Sequence, residues 1–195
     1  MKKEYKDKIS GFFPVPLDEK GVNTILDILE VKNVPSKTIL QYEGEIATKV
    51  YLVFKGCLRS YFVKENGSDI TSQFFIEEQM VTSIESVMSG TPTRSYIETI
   101  EDSEIGIIQM KSFLALTQEL DIAKDHFIGV LLSKLNNYMN LHASFILDNP
   151  EKRYRKLQQD NPELVSRLPL QYIASYLGIT PVSLSRIRAR KSGDT

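Results

Sequence analysis

The sequence predicts an α+β protein with an antiparallel β-roll behind a short helix, then a long helix, then a small helical domain ending in a helix-turn-helix. Three observations predict it. Short β-branched and aromatic runs, broken by glycine turns, recur between about residues 31 and 110, at the roughly 8–12-residue spacing of an all-β roll or barrel. From Lys111 to Leu147 there is no proline and a single glycine, Gly129. From Leu168 to Arg190 two short apolar-faced segments meet at Gly178. These divide the chain into a roll with its leading helix (1–110), a long connecting helix (111–148) and a helix-turn-helix domain (149–195).

The chain has 195 residues, 42% of them hydrophobic and 25% charged, enough for one ordinary domain and a small one. The opening Met1-Lys2-Lys3-Glu4-Tyr5-Lys6-Asp7-Lys8 lacks the apolar centre of a signal peptide. No apolar run approaches the roughly 20 residues a membrane helix requires. The single Cys57 excludes an internal disulfide and a four-cysteine cluster. The expectation is a cytoplasmic protein with no membrane partner.

Val22, Ile25, Leu26 and Leu29 have the spacing of a short helix. Strands follow at Thr38–Tyr42, Val50–Phe54, Leu58–Val63, Ile70–Phe75, Tyr96–Ile100 and Glu104–Ile108. Glu43-Gly44-Glu45, Lys55-Gly56 and Asn66-Gly67 supply turns, the last being a hairpin signal. In the long helix Ile128, Leu131, Leu135, Tyr138, His142 and Phe145 stand at gaps of 3, 4, 3, 4 and 3, the heptad spacing of a helix seam. Leu132, Leu135, Met139, His142 and Ile146 widen that face. A homodimer along this helix is expected, the alternative being a long core helix in a monomer. Asn136, Asn137 and Asn140 are expected to be solvated, the alternative being that they face the roll's pocket and touch a ligand.

Asp148-Asn149-Pro150-Glu151 restarts the chain as a helix, with Asp148 or Asn149 as cap, Pro150 near N1 and a hinge at 148–150. Tyr154 and Leu157 are expected inward, and Lys152, Arg153, Arg155 and Lys156 outward, with Asn161-Pro162 as the end. Ile173, Ala174 and Leu177 then form one apolar face, Gly178 sits where a helix C-terminus takes a left-handed residue, and Thr180-Pro181 caps the next helix. That helix buries Leu184 and Ile187 and leaves Ser183, Ser185, Arg186, Arg188 and Arg190 on its other sides. Such a pair is the plan of a major-groove reader, against the plainer reading of two core helices with a basic end. Charge favours the reader. No Asp or Glu lies between Leu164 and Lys191. Residues 150–195 hold nine Lys or Arg and four Asp or Glu, a net of +5, so the remainder of the 24 and 25 is 15 and 21, a net of −6.

Catalytic chemistry finds no support. His126 and His142, 16 residues apart on a helix, point about 160° apart and make a poor metal pair. Cys57 reads as a buried structural thiol. No nucleophile–base pair, phosphate loop or metal-ligand spacing occurs, so neither an enzyme nor a metal site is expected.

The order helix, β-roll, long helix, helix-turn-helix resembles the Crp/Fnr family of bacterial transcription regulators, most of all a short subgroup known from Bacteroidetes-type bacteria. The residues that carry the resemblance are Tyr172 to Thr180 and Leu184 to Arg188 in the reader. In the roll they are Glu43-Gly44-Glu45, Tyr51 to Gly56, and Arg94-Ser95. The resemblance implies a cyclic-nucleotide-binding-like jelly roll as sensor, the long helix as dimer seam, and Thr180, Ser183, Ser185, Arg186, Arg188 and Arg190 at DNA. Arg186 would read bases, while Arg188 and Arg190 would hold phosphates. Implied partners are DNA, a second copy, RNA polymerase and a small-molecule effector.

Two departures qualify it. The family's sensor motif is a Gly-Glu-Leu turn followed by Arg-Ser; Arg94-Ser95 match, but Thr82-Ser83-Ile84 stand where Gly-Glu-Leu belongs, with Glu85 two residues late. The effector set is thus Ser83, Ile84, Glu85, Arg94 and Ser95, and the effector is unknown: a cyclic nucleotide, another ligand, or none. Arg94 paired with Glu85 or Glu98 on the surface is the alternative. In the reader, Pro181-Val182 replace the family's Arg-Glu, so the operator should differ from the familiar one. Only Lys191 to Thr195 follow, so no C-terminal wing is expected. The competing function is a ligand-sensing module whose reader-like end docks on protein without binding DNA.

Overall fold

The computed structural model describes residues 4–13, 17–119 and 121–191, apart from the side chains of 121–123, 126, 127 and 191. His126 and the residues after Lys191 therefore lie outside what is described. Two short helices, α1 (Tyr5–Ser10) and α2 (Glu19–Ile28), lead into the roll. Asp18 caps α2 by accepting from the Gly21 amide at 2.7 Å.

The roll has eight strands: β1 (Glu30–Val34), β2 (Ile39–Gln41), β3 (Lys49–Lys55), β4 (Leu58–Val63), β5 (Asp69–Phe75), β6 (Met80–Val81), β7 (Tyr96–Thr99) and β8 (Ser103–Gln109). A short helix, α3 (Ile84–Ser89), lies between β6 and β7. One sheet runs β1-β8-β3-β6 and the other β2-β7-β4-β5. β3 and β8 pair antiparallel with Val50 opposite Ile108 and Leu52 opposite Gly106. The six strands read from the sequence are all present. β1 and β6 were not legible, because β1 is a polar edge with only Val34 buried and β6 has two residues.

β3 explains why these strands are almost continuously apolar. Tyr51 and Val53 join an inner cluster with Leu58, Phe75, Ile97, Ile105 and Ile107. Val50 and Leu52, pointing the other way, pack with Ile9, Phe12 and Phe13 before α2, with Ile25 and Leu26 of α2, and with Phe113 and Leu116 farther on. A strand covered on both faces loses its polar alternation. Cys57 is fully buried, as expected. At Gly56 the backbone has φ +105°, and a Cβ would stand 2.2 Å from the Ser103 Oγ, so only glycine fits.

Asn66-Gly67 lies in the five-residue connection 64–68 between β4 and β5. Gly67 alone is left-handed there, at φ +79°, and the Asn66 Oδ1 accepts from the Ser68 amide at 3.1 Å. The turn is therefore longer than the two-residue hairpin such a pair often makes. A salt bridge buried at both ends joins neighbouring strands: the Arg59 Nε donates to the Glu98 Oε1 at 3.0 Å, their side chains 3% and 10% exposed.

Helices complete the chain: α4 (Met110–Glu119), α5 (Asp121–Leu147), α6 (Pro150–Asp160), α7 (Pro162–Arg167), α8 (Leu170–Tyr176) and α9 (Pro181–Lys191). The chain divides into two compact units, Met1–Arg59 with Phe74–Lys134, and Ser60–Gln73 with Leu135–Thr195. The second unit thus gathers the tip of the β4–β5 hairpin and the C-terminal part of α5 with the terminal helices. Within it the Thr71 amide donates to the Ser175 Oγ at 3.0 Å, and that hydroxyl donates to the Thr71 Oγ1 at 3.0 Å.

Arg59→Ala strands the Glu98 carboxylate and should lower stability by about 3–5 kcal/mol in urea unfolding. The double variant Arg59→Met with Glu98→Leu should recover most of that loss.

Candidate nucleic-acid interface and sensor cassette

The reader is built around one left-handed residue. Tyr172, Ile173, Ala174 and Leu177 are buried, which seats α8 on its domain. Gly178 follows at φ +69°. Its amide donates to the Ser175 carbonyl at 3.1 Å, and the Ile179 amide reaches back to the Ala174 carbonyl at 3.0 Å. These are the two bonds of a Schellman motif. A Cβ on Gly178 would also meet the Phe145 ring at 2.9 Å, so the site demands glycine twice.

The next helix starts at once. The Thr180 Oγ1 accepts from the Ser183 amide at 3.1 Å, the Thr180 carbonyl accepts from the Leu184 amide at 3.1 Å, and Pro181 takes N1. Leu184 is fully buried and anchors α9, with Ile187 half-buried beside it. Val182, Ser185, Arg186, Ala189 and Arg190 are exposed. The guanidinium groups of Arg186 and Arg190 therefore face outward on a helix without an acid. Thr180 and Ser183 serve the cap, their hydroxyls 2.9 Å apart. Arg188 differs from its expected place: its guanidinium lies over the Tyr154 ring at 5.5 Å, half-buried, so it packs the domain as well as charging it.

Arg153 is a correction. The sequence places it outward with Lys152, Arg155 and Lys156, but it turns in. Its Nη1 donates to the Asp148 carbonyl at 2.7 Å, its Nη2 to the Leu177 carbonyl at 2.9 Å, and its guanidinium lies over the Phe145 ring at 4.6 Å. One planar fork thereby joins the end of α5, the start of α6 and the end of α8. Its neighbours behave as expected. The Asn149 Oδ1 caps α6 by accepting from the Lys152 amide at 2.9 Å, Tyr154 and Leu157 are buried, and Lys152 pairs with Asp148 at 2.5 Å. Asn161 ends α6, but Pro162 opens another helix, α7, which the sequence reading did not include.

The α5 stripe is bare in the single chain: Ile128, Leu135, Tyr138 and Phe145 are exposed apolar residues, as are Leu132, Met139 and Ile146. Leu131 is half-buried and His142 exposed. Part of the Phe145 ring is taken by Arg153 and Gly178. Asn136, Asn137 and Asn140 are exposed.

The sensor cassette forms around α3. Ser83 is buried and caps that helix, its Oγ accepting from the Ser86 amide at 3.4 Å, and Gly90 ends it at φ +70°. Ile84 is half-buried. The Ser86 Oγ accepts from the Ala47 amide at 3.0 Å and donates to the Thr91 carbonyl at 2.6 Å. The loop before β3 is tied in, for the Gly44 amide donates to the Thr93 carbonyl and the Thr93 amide to the Glu45 carbonyl, both at 2.8 Å. Glu85 and Arg94 come together: the Glu85 Oε1 accepts from the Arg94 amide at 3.1 Å and lies 3.9 Å from its Nε. Glu98, the other candidate partner of Arg94, is held by Arg59 instead. Ser95 is buried, its hydroxyl 3.3 Å from the Thr93 Oγ1.

A residue the sequence reading passed over is Lys134, which breaks the α5 stripe between Leu131 and Leu135. Its Nζ lies 4.4 Å from the centre of the Phe75 ring, and burial pushes its ammonium down to about 8. Heptad spacing gave no sign of it, since the ring it covers lies far back in the chain. Among the described residues no cluster of His, Cys, Asp or Glu has the form of a metal site, and no helix is long and apolar enough to cross a membrane.

Comparison with known proteins agrees with this architecture. Residues 31–119 match the cyclic nucleotide-binding domain family. The anaerobic regulatory protein of Haemophilus influenzae is 22% identical over 189 residues, covering 91% of this chain and 73% of that one. A structure from Eubacterium rectale, described as a transcriptional regulator of the Crp/Fnr family, superposes with a TM-score of 0.73 at 19% identity, over 94% of this chain and 88% of the other. The c-di-GMP-responsive global regulator CLP of Xanthomonas campestris gives a TM-score of 0.71 at 16% identity, over 91% and 93%. Residues 31–119 thus resemble a cyclic nucleotide-binding domain, and the chain has the fold of the Crp/Fnr transcription regulators.

Arg153→Ala should cost about 3 kcal/mol in urea unfolding, because it removes two charge-assisted bonds to backbone carbonyls. Arg153→Lys, a point donor in place of a fork, should not restore them. Lys134 should make stability rise with pH from about 8 towards its unfolded value near 10.4, because the unfolded chain there binds the proton that the folded one releases. Subtracting the pH profile of Lys134→Met from that of the parent isolates this rise.

Proposed function

We propose that this chain is a homodimeric DNA-binding transcription regulator whose cyclic nucleotide-binding domain serves as sensor. The observation that carries the reading is the face of α9. It is seated by Leu184, aimed by the Gly178 turn, and presents Arg186 and Arg190 to solvent with no acidic residue beside them. Such a surface fits a phosphate-lined groove, with Arg186 on a guanine edge and Arg190 on the backbone. The uncovered α5 stripe supports the second copy, since a long apolar face on a helix calls for a partner helix. A two-fold pair of readers addresses half-sites about one helical turn apart. The function places the protein with the chromosome in the cytoplasm, where RNA polymerase is the machinery a bound regulator influences.

The cassette bears on the effector. Glu85 already accepts from the Arg94 amide, and its carboxylate lies 3.9 Å from the exposed Arg94 guanidinium. A cyclic phosphate at that position has to displace a carboxylate, so cyclic AMP and cyclic GMP are expected to leave the melting temperature unchanged, whereas a tight ligand raises it.

Arg186→Ala should lower affinity for a selected duplex by about 1–3 kcal/mol and relax preference at one base. Arg190→Ala should weaken all duplexes alike and shorten the salt slope by about one. Electrophoretic shift assays across a salt series distinguish the two. Purified protein that shows no salt-dependent binding to any duplex is a protein-docking module instead.

A further inference from the structure

Val182, the second residue of α9, is 61% exposed although it is apolar and β-branched. It contributes nothing to the core, which α9 joins through Leu184. It shares one exposed face with Ser185, Arg186 and Ala189, at i, i+3, i+4 and i+7. Its neighbours at the helix start offer no alternative reader: Pro181 has no amide hydrogen to donate, and the Ser183 hydroxyl lies 2.9 Å from the Thr180 Oγ1 in the cap. The N-terminal turn of a recognition helix is the part that meets base edges. Here that turn presents one branched apolar side chain.

The major groove offers a single apolar feature, the C5-methyl group of thymine. We propose that Val182 reads this methyl, so that each half-site carries a thymine beside the guanine read by Arg186. Helical neighbours at i and i+4 stand about 5–6 Å apart, and successive bases on a strand about 3.4 Å, which places the two bases one or two steps from each other. Any other base at that step would turn a hydrogen-bonding edge against the isopropyl group and lose its water without gaining a partner. The inference rests on the reading of α9 as a groove helix.

The test uses the full-length protein and duplexes enriched from a random pool. Each thymine of the selected half-site is replaced in turn by deoxyuridine, which removes only the methyl group. One such position per half-site should weaken binding about fourfold, the value of one buried methyl group, and about 16-fold when both half-sites are changed. Val182→Ala should bind the thymine and uridine duplexes equally, while Val182→Thr, which keeps one methyl, should retain the difference. Val182 is exposed, so neither variant should alter thermal unfolding. A parent protein indifferent to every uridine, or an alanine variant that keeps the full loss, overturns the proposal and leaves DNA binding standing. Failure to enrich any duplex removes the groove reading itself, and the role of Val182 with it.

Discussion

The left-handed turn at Gly178 is the constraint on which the terminal domain depends. A residue at φ +69° reverses the chain within one step, lets two amides close the end of α8, and points α9 away from it. Any L side chain there pays the left-handed penalty of about 1–2 kcal/mol and also strikes Phe145. The turn is then held from behind by Arg153, whose fork links the carbonyl that ends α8 to the one that follows α5. The junction at 148–150, which from the sequence reads as a hinge, is a fastened corner within the second compact unit. That unit divides from the rest within α5, between Lys134 and Leu135.

The roll follows a different rule. In its first sheet the central strand β3 is covered on both faces and is almost continuously apolar, whereas the edge strand β1 is polar. In the second sheet the buried charges Arg59 and Glu98, on neighbouring strands, pair with each other. Around α3 several polar groups find internal partners: Ser83 the helix amide it caps, Ser86 both Ala47 and Thr91, and the Arg94 amide the Glu85 carboxylate.

Scaffold and exposed face are separate in the reader. Leu184, Thr180 and Gly178 make α9 a helix at a defined angle, and none of them specifies a base. The exposed face, where Val182 and Arg186 are one turn apart, takes no part in holding the helix.

The sequence by itself determined the elements whose signals are local. The six strands with apolar or aromatic runs, the Asn149 and Thr180 caps, the Gly178 turn and the α5 stripe each depend on residues within a turn or two of one another, so their physics is visible in a short window. Helices α1, α3 and α7, of six residues each, are too short to show a period, and β1 lacks apolar alternation. Only the tertiary structure decided where the long cationic side chains go. Arg153, Arg188 and Lys134 lie on helices where spacing suggests solvent. Each turns instead to an aromatic ring or carbonyl brought near by folding, as Leu177 is to Arg153 across 24 residues. A flexible side chain commits to whichever partner compaction places within its reach, and no short-range pattern encodes that distance.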